Sequence, residues 1–190
     1  MKKIIFSLGI FVAFTACKKE NINTESLENT TSDSVTIAEP ANSSSAVTPF
    51  KRVELSPDET SKFLAKKNDD TLYVTNFFAT WCGPCMVEIP HFKEKMEELK
   101  SQPVKFTLES LDSKNDWDTK VKNFAEEENL SNDVVLLDGT QLNAEFFPAN
   151  FKQWDGNAIP FTFMRKGDKT DETLGSMSKE MLTEKLNSFK

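Results

Sequence analysis

Residues 71–90 read TLYVTNFFATWCGPCMVEIP, and the fold is decided within them. Thr71 to Phe78 is β-branched and aromatic without a clean alternation, the composition of a strand buried on both faces. After it come Trp81-Cys82-Gly83-Pro84-Cys85 and then a stretch of helical period, Met86 to Leu99. Val87, Ile89, Phe92, Met96 and Leu99 fall near one side of that helix, and Pro90 is expected to kink it. Two cysteines therefore stand where a buried strand hands over to a helix. The first turn of a helix offers unpaired N–H groups and the positive end of its dipole, which favour an anion. The anion expected here is the Cys82 thiolate, the nucleophile of disulfide exchange. Two intervening residues put Cys85 within disulfide reach, so Cys82 is expected to be the more exposed sulfur and Cys85 the resolving one.

Other uses of a cysteine pair fit less well. A zinc half-site needs two more ligands, and the chain's single histidine, His91, lies on the far face of the helix. Covalent haem attachment needs a histidine after the second cysteine, where this chain has Met86. A purely structural bridge stays open, although closing so short a loop restricts the unfolded chain little. Neither a metal nor a cofactor is expected. The chain carries 23 Lys and Arg against 30 Asp and Glu, a net charge of −7, which argues against nucleic acid as a partner.

Outward from the motif, strands and helices alternate. Ser56-Pro57-Asp58-Glu59 is a capping box that opens a helix facing Phe63 and Leu64 to a core. Val104 to Leu108 reads as a strand, and Trp117, Val121, Phe124 and Ala125 mark an amphipathic helix. Val134 to Leu137 is a strand ended by the turn pair Asp138-Gly139, and Leu142 to Phe147 is a short helix. Ile159 to Arg165 and Thr170 to Leu174 form a hairpin about Gly167-Asp168. Ser178 caps a last helix through Met181, Leu182 and Leu186. The expectation is an α/β fold, a central mixed β-sheet flanked by helices on both faces.

The N-terminus reads differently. Met1-Lys2-Lys3, the apolar run Ile4 to Phe14 and the small residues Thr15-Ala16 form a signal peptide over residues 1–16. Eleven apolar residues are too few to span a bilayer core of about 30 Å. "FTAC" resembles a bacterial lipobox, which makes Cys17 the lipidated residue, with Phe14 where that pattern usually has Leu or Val. An ordinary cleaved signal is the alternative. Setting Cys17 aside leaves one clean thiol pair among three cysteines. Residues 17–49 are the lipidated cysteine and a disordered tether, since fifteen of the thirty-two residues from Lys18 to Pro49 are Ser, Thr or Asn. A coil of that length reaches about 30 Å. Residues 50–190 are the folded domain.

At these motifs the chain resembles the thioredoxin superfamily, and within it the membrane-anchored thiol–disulfide reductases of the TlpA/ResA type. NFFATWCGPC, CMVEIP, VVLLDGTQLNAEF and NAIPFTFMRKGD carry the resemblance. It implies a thioredoxin-like fold, a redox disulfide Cys82–Cys85 as the catalytic pair, and a site shaped by Trp81, Gly83, Pro84, Glu88, Ile159 and Pro160. Asn76 stands where thioredoxin has a buried acid, and Glu88, three residues after Cys85, is the candidate for tuning that cysteine. A plain solvated helix glutamate is the alternative for Glu88. The resemblance implies a cis peptide before Pro160, with the Ile159 backbone facing the sulfurs. Phe146 to Asn157 is longer than the family pattern and either shapes a groove or covers the sheet.

The function implied is a periplasm-facing reductase of protein disulfides in the bacterial envelope, monomeric, held by its lipid anchor on the outer rather than the inner membrane. It would be supplied with electrons by a membrane-embedded donor, with cytochrome c maturation among the roles implied. A disulfide oxidase or isomerase with the same site, a tethered binding protein without turnover, and a lipoprotein with an inert bridge are the alternatives.

Overall fold

The computed structural model describes residues 48–190. The signal peptide, Cys17 and all of the tether except Thr48 and Pro49 lie outside the described residues. Helix α1 (Pro57–Leu64) is opened by the expected capping box: Ser56 Oγ accepts from Glu59 N, and Glu59 accepts from Ser56 N. Strand β1 (Leu72–Phe78) follows, buried over nearly its whole length, and leads into α2 (Gly83–Glu98). Strand β2 (Val104–Ser110), a helical segment ending in α3 (Lys122–Glu127), and the short β3 (Val134–Leu136) come next. Then follow α4 (Phe146–Asn150), β4 (Phe161–Lys166), β5 (Lys169–Leu174) and α5 (Lys179–Asn187).

The five strands form one mixed sheet in the order β3-β2-β1-β4-β5. β1, β2 and β3 are parallel, and β4 and β5 run antiparallel as a hairpin. β1 is central, which is why it carries apolar residues on both faces. On one face Leu72, Val74 and Phe78 pack with Ile89 and Phe92 of α2, Val121 and Ala125, and Leu182 and Leu186 of α5. On the other, Phe77, Phe161 and Phe163 pack with Leu64, Phe146, Phe151 and Trp154. Helices therefore cover both faces, as expected.

The structure adds to or departs from the sequence reading at several elements. The helix expected over Leu142 to Phe147 starts later, at Phe146. Asn143 Oδ1 accepts the Phe146 N–H at 3.0 Å and turns the chain just before the helix, and Pro148 is accommodated in its first turn. Val87, placed on the core side of α2 by its spacing, is 66% exposed. Met181 is likewise exposed, while Leu182 and Leu186 are buried. Trp117 to Val121 forms a π-turn within the third helical segment, and it keeps Trp117, Val121 and Ala125 on one buried line. Pro90 sits inside α2 without ending it.

Candidate active site

The site forms where β1 ends. Phe77, Phe78 and Ala79 are fully buried, so the chain leaves the core only at Thr80. Cys82 N donates to Ala79 O at 3.0 Å and turns the chain into α2. Cys82 is the N-cap of α2, and its Sγ accepts from Cys85 N at 3.3 Å. The expected orphan N–H group thus points at the first sulfur, where it stabilises a thiolate when the pair is reduced. Pro84 fits the first turn because its missing N–H has no partner to lose there. Cys82 and Cys85 are joined as a disulfide, with Cα atoms 5.3 Å apart. Cys82 keeps slight exposure and Cys85 has none.

Trp81 stands 68% exposed on one side of the sulfurs. On the other, Cys82 Sγ lies 3.7 Å from the Ile159 carbonyl oxygen, and the Ile159–Pro160 peptide is cis. Between them opens a cleft of about 790 Å³ whose walls include Trp81, Cys82, Leu111, Phe147, Trp154 and Ile159. Among the described residues no charged side chain lines it. The long segment Phe146 to Asn157 does both things considered for it. Phe151 is buried on the sheet, while Phe147 and Trp154, edge to face at 5.2 Å, form the far wall. Trp154 is fixed by stacking on Phe161 at 4.4 Å and by donating from Nε1 to Ala158 O at 2.8 Å.

Behind the disulfide lies Glu88, fully buried on α2 one turn from Cys85. Residues three apart on a helix face one another, with Cβ atoms about 5–6 Å apart. Asn76 Nδ2 donates to Glu88 Oε1 at 2.7 Å, and Met177 N donates to Oε2 at 2.8 Å. Burial pushes the Glu88 carboxyl up to about 7, against the opposing pull of the two hydrogen bonds and of His91. The solvated-helix alternative for Glu88 is thereby corrected, because a fully buried carboxyl bonded at both oxygens is not on the surface. Asn76 Nδ2 also donates to Thr162 Oγ1 at 3.0 Å, and Asn76 Oδ1 has no partner among the described residues.

One supporting residue escaped the sequence reading. Asp112, fully buried just past β2, accepts from Thr80 N at 2.9 Å, Thr80 Oγ1 at 2.6 Å and Ser110 Oγ at 2.8 Å. It holds the residue that precedes Trp81 and Cys82. Its only sequence signal is an acid at the end of a strand, in a polar run that reads as an ordinary turn. Among the described residues no three His, Cys, Asp or Glu side chains gather as a metal site.

The Redoxin family matches residues 41–164. This chain belongs to that family. The redoxin is 29% identical over 113 residues to thiol-disulfide oxidoreductase ResA of Bacillus thuringiensis subsp. konkukian (strain 97-27), covering 58% of this chain and 59% of ResA. It is 30% identical over 118 residues to thioredoxin-like protein YneN of Bacillus subtilis (strain 168), covering 59% of this chain and 61% of YneN. The redoxin thus spans about three-fifths of the curated relatives it matches. Among solved structures, a thiol:disulfide interchange protein from Chlorobium tepidum TLS shares its fold. That likeness has a TM-score of 0.53 at 22% identity and covers 67% of this chain and 83% of the other. The redoxin is a TlpA/ResA-like member of the thioredoxin superfamily, as its motifs implied.

Proposed function

We propose that this redoxin is a thiol–disulfide oxidoreductase that reduces disulfides in other proteins. The observation that carries the reading is the Cys82–Cys85 pair at the start of α2, its first sulfur on an open cleft and 3.7 Å from the Ile159 carbonyl oxygen. In the reduced protein the Cys82 thiolate, stabilised by the Cys85 N–H, attacks one sulfur of a client disulfide. A mixed disulfide forms, and the client's other sulfur leaves as a thiolate. The Cys85 thiol gives its proton to the Glu88 carboxylate and attacks Cys82 Sγ, which releases the second client sulfur. Two electrons pass from the dithiol to the client, and a second dithiol must reduce the pair again.

The cleft suits an extended client segment, which can lie along the Ile159 backbone with its cysteine against Cys82. A carboxyl near 7 is matched to taking and returning a proton at neutral pH. Asn76 can serve Glu88 in both states, since turning its amide offers Nδ2 to a carboxylate or Oδ1 to a carboxyl proton.

The same reading places the protein in the bacterial envelope, tethered through a lipidated Cys17 and facing the periplasm. Electrons would come from a membrane-embedded dithiol protein. Among the described residues no helix is long and apolar enough to cross a membrane; the proposed anchor rests on the lipobox-like FTAC ending at Cys17. Cys17→Ser should abolish incorporation of a labelled fatty acid. The decisive experiment is the reduction potential of the Cys82–Cys85 pair, by equilibration with buffers of known poise. A value close to about −270 mV, that of thioredoxin, is expected of a reductase. One close to about −120 mV would make the protein a disulfide former.

A further inference from the structure

Both backbone polar groups of Met177 are bound by side chains of α2. Its N–H donates to Glu88 Oε2 at 2.8 Å, and its carbonyl oxygen lies 3.0 Å from His91 Nδ1. A carbonyl only accepts, so Nδ1 carries the proton and donates. Met177 lies in the short link between β5 and α5, after Gly175 at φ +91° and before the N-cap Ser178. Its own side chain is buried in the core. Glu88 and His91, one turn apart on α2, therefore grip the same residue from two sides.

We propose that His91 is a positioning residue for disulfide exchange: by holding the Met177 carbonyl it keeps the Met177 N–H on Glu88, and so sets the pH at which Glu88 accepts the Cys85 proton. The proposal rests on the reading of Glu88 as the proton partner of Cys85. Removing the His91 bond lets the Met177 link shift and weakens an N–H bond that favours the carboxylate. Glu88 then holds its proton to higher pH, and fewer molecules have a free base at pH 6. The charged groups around the pair are few. Besides Glu88, His91 acts on Glu180 in the first turn of α5. The ion pair between Lys179 of α5 and Glu94 of α2 lies at 2.8 Å, and Lys95 on α2 pairs with Glu98 at 2.6 Å. β1 and β4 face Glu88 with the neutral Asn76 and Thr162. The imidazole is the chain's only one, so no second histidine confounds a pH profile.

The test is the pH dependence, from pH 5 to 9, of the rate at which the reduced protein resolves a mixed disulfide with a cystine peptide, each profile scaled to its own alkaline plateau. His91→Ala should raise the midpoint of the acid limb by about half a pH unit, an approximately threefold loss of relative rate at pH 6. His91→Gln keeps an N–H donor for the Met177 carbonyl and should recover most of that shift. A lowered Tm in His91→Ala with an unmoved midpoint would mean a structural role only, and the proposal would fail. Equal shifts in both variants would also overturn it, since the Met177 bond would then be irrelevant. Glu88→Gln separates this failure from that of the parent reading: it should abolish the acid limb, and a limb that survives shows that Glu88 is not the proton partner.

Discussion

Glu109→Gln should make the protein more stable at alkaline pH and leave it nearly unchanged at pH 4.5. Glu109 lies on β2, on the sheet face away from the disulfide, and is fully buried. Thr60 Oγ1 of α1 donates to its Oε1 at 2.6 Å, and Oε2 has no partner among the described residues. Burial therefore pushes this carboxyl from 4.5 up to about 7, with only the Thr60 bond opposing. The sign follows from where the proton is held. The folded protein binds it more tightly than the unfolded chain, so the associated stability is full below 4.5 and is lost as pH rises through about 7. At about 1.4 kcal/mol per pH unit, the loss is about 3 kcal/mol by pH 8.5. That is a large share of a typical stability of about 5–15 kcal/mol.

The amide of Glu109→Gln keeps an acceptor for Thr60 and never ionises. Its own fixed differences from the carboxyl cancel when two pH values are compared. Glu88 makes a similar contribution in both proteins and cancels too. Urea unfolding of the oxidised proteins at pH 4.5 and 8.5 gives the comparison directly. The variant should gain about 3 kcal/mol over wild type between the two pH values. A gain under about 1 kcal/mol would refute the reasoning, because it would mean that water or another donor reaches Oε2 and solvates the charge.

Three further outcomes follow from the geometry. Asp112→Ala strands three donors, Ser110 Oγ buried and the two of Thr80 half-buried, and should lower stability by about 3 kcal/mol, given about 1–3 kcal/mol for each unmet group and partial rescue by water. Loosened Thr80 should also slow exchange, as read by unfolding and peptide-disulfide kinetics. Gly156→Ala puts a Cβ 2.2 Å from Phe147 Cζ at a φ of +85°, so it should cost about 2–4 kcal/mol and deform the cleft wall. Thermal unfolding measures the first effect, and KM for a peptide disulfide the second. Cys85→Ser should accumulate mixed disulfides with clients that Cys82→Ser does not, visible as reducible adducts on a non-reducing gel.

Much of this was readable because it is local. The capping box at Ser56, the N-cap at Ser178, the hairpin at Gly167-Asp168 and the strand-to-helix passage through Cys82 each depend on neighbours a few residues apart. The failures involve the third dimension. Val87 follows the apolar spacing of α2, yet it faces solvent. Lys95, three residues after the buried Phe92, lies inside instead, its stem packed and its Nζ reaching Glu98 at 2.6 Å. Glu109 lies beyond the stretch Val104 to Leu108 that reads as a strand, but β2 runs on to Ser110 and α1 covers that face with Thr60. Asp112 gains its meaning only when β1 and β2 end side by side, through the parallel register of Phe78 with Ser110. Whether an acid is solvated or buried depends on which helix lies over it, and no spacing rule states that.

The position of the acid has a consequence for control. Asn76 lies on the central strand, where sheet bonds on both sides fix the backbone. An acid at that place would have its surroundings set by the rigid sheet. Glu88 lies instead on a helix, and one of its two hydrogen bonds comes from a link between β5 and α5. β5 is the edge strand, and its residues are mostly half-buried or exposed. A link at the edge yields more easily than a central strand, because fewer contacts must break. The proton affinity of Glu88 is therefore exposed to movements of the Met177 segment, which also carries the His91 contact. The Ile159–Pro160 peptide beside Cys82 is tied to that segment, since Gly175 N donates to Pro160 O at 2.9 Å. Moving the acid from strand to helix trades a fixed proton affinity for one that the state of the site can change.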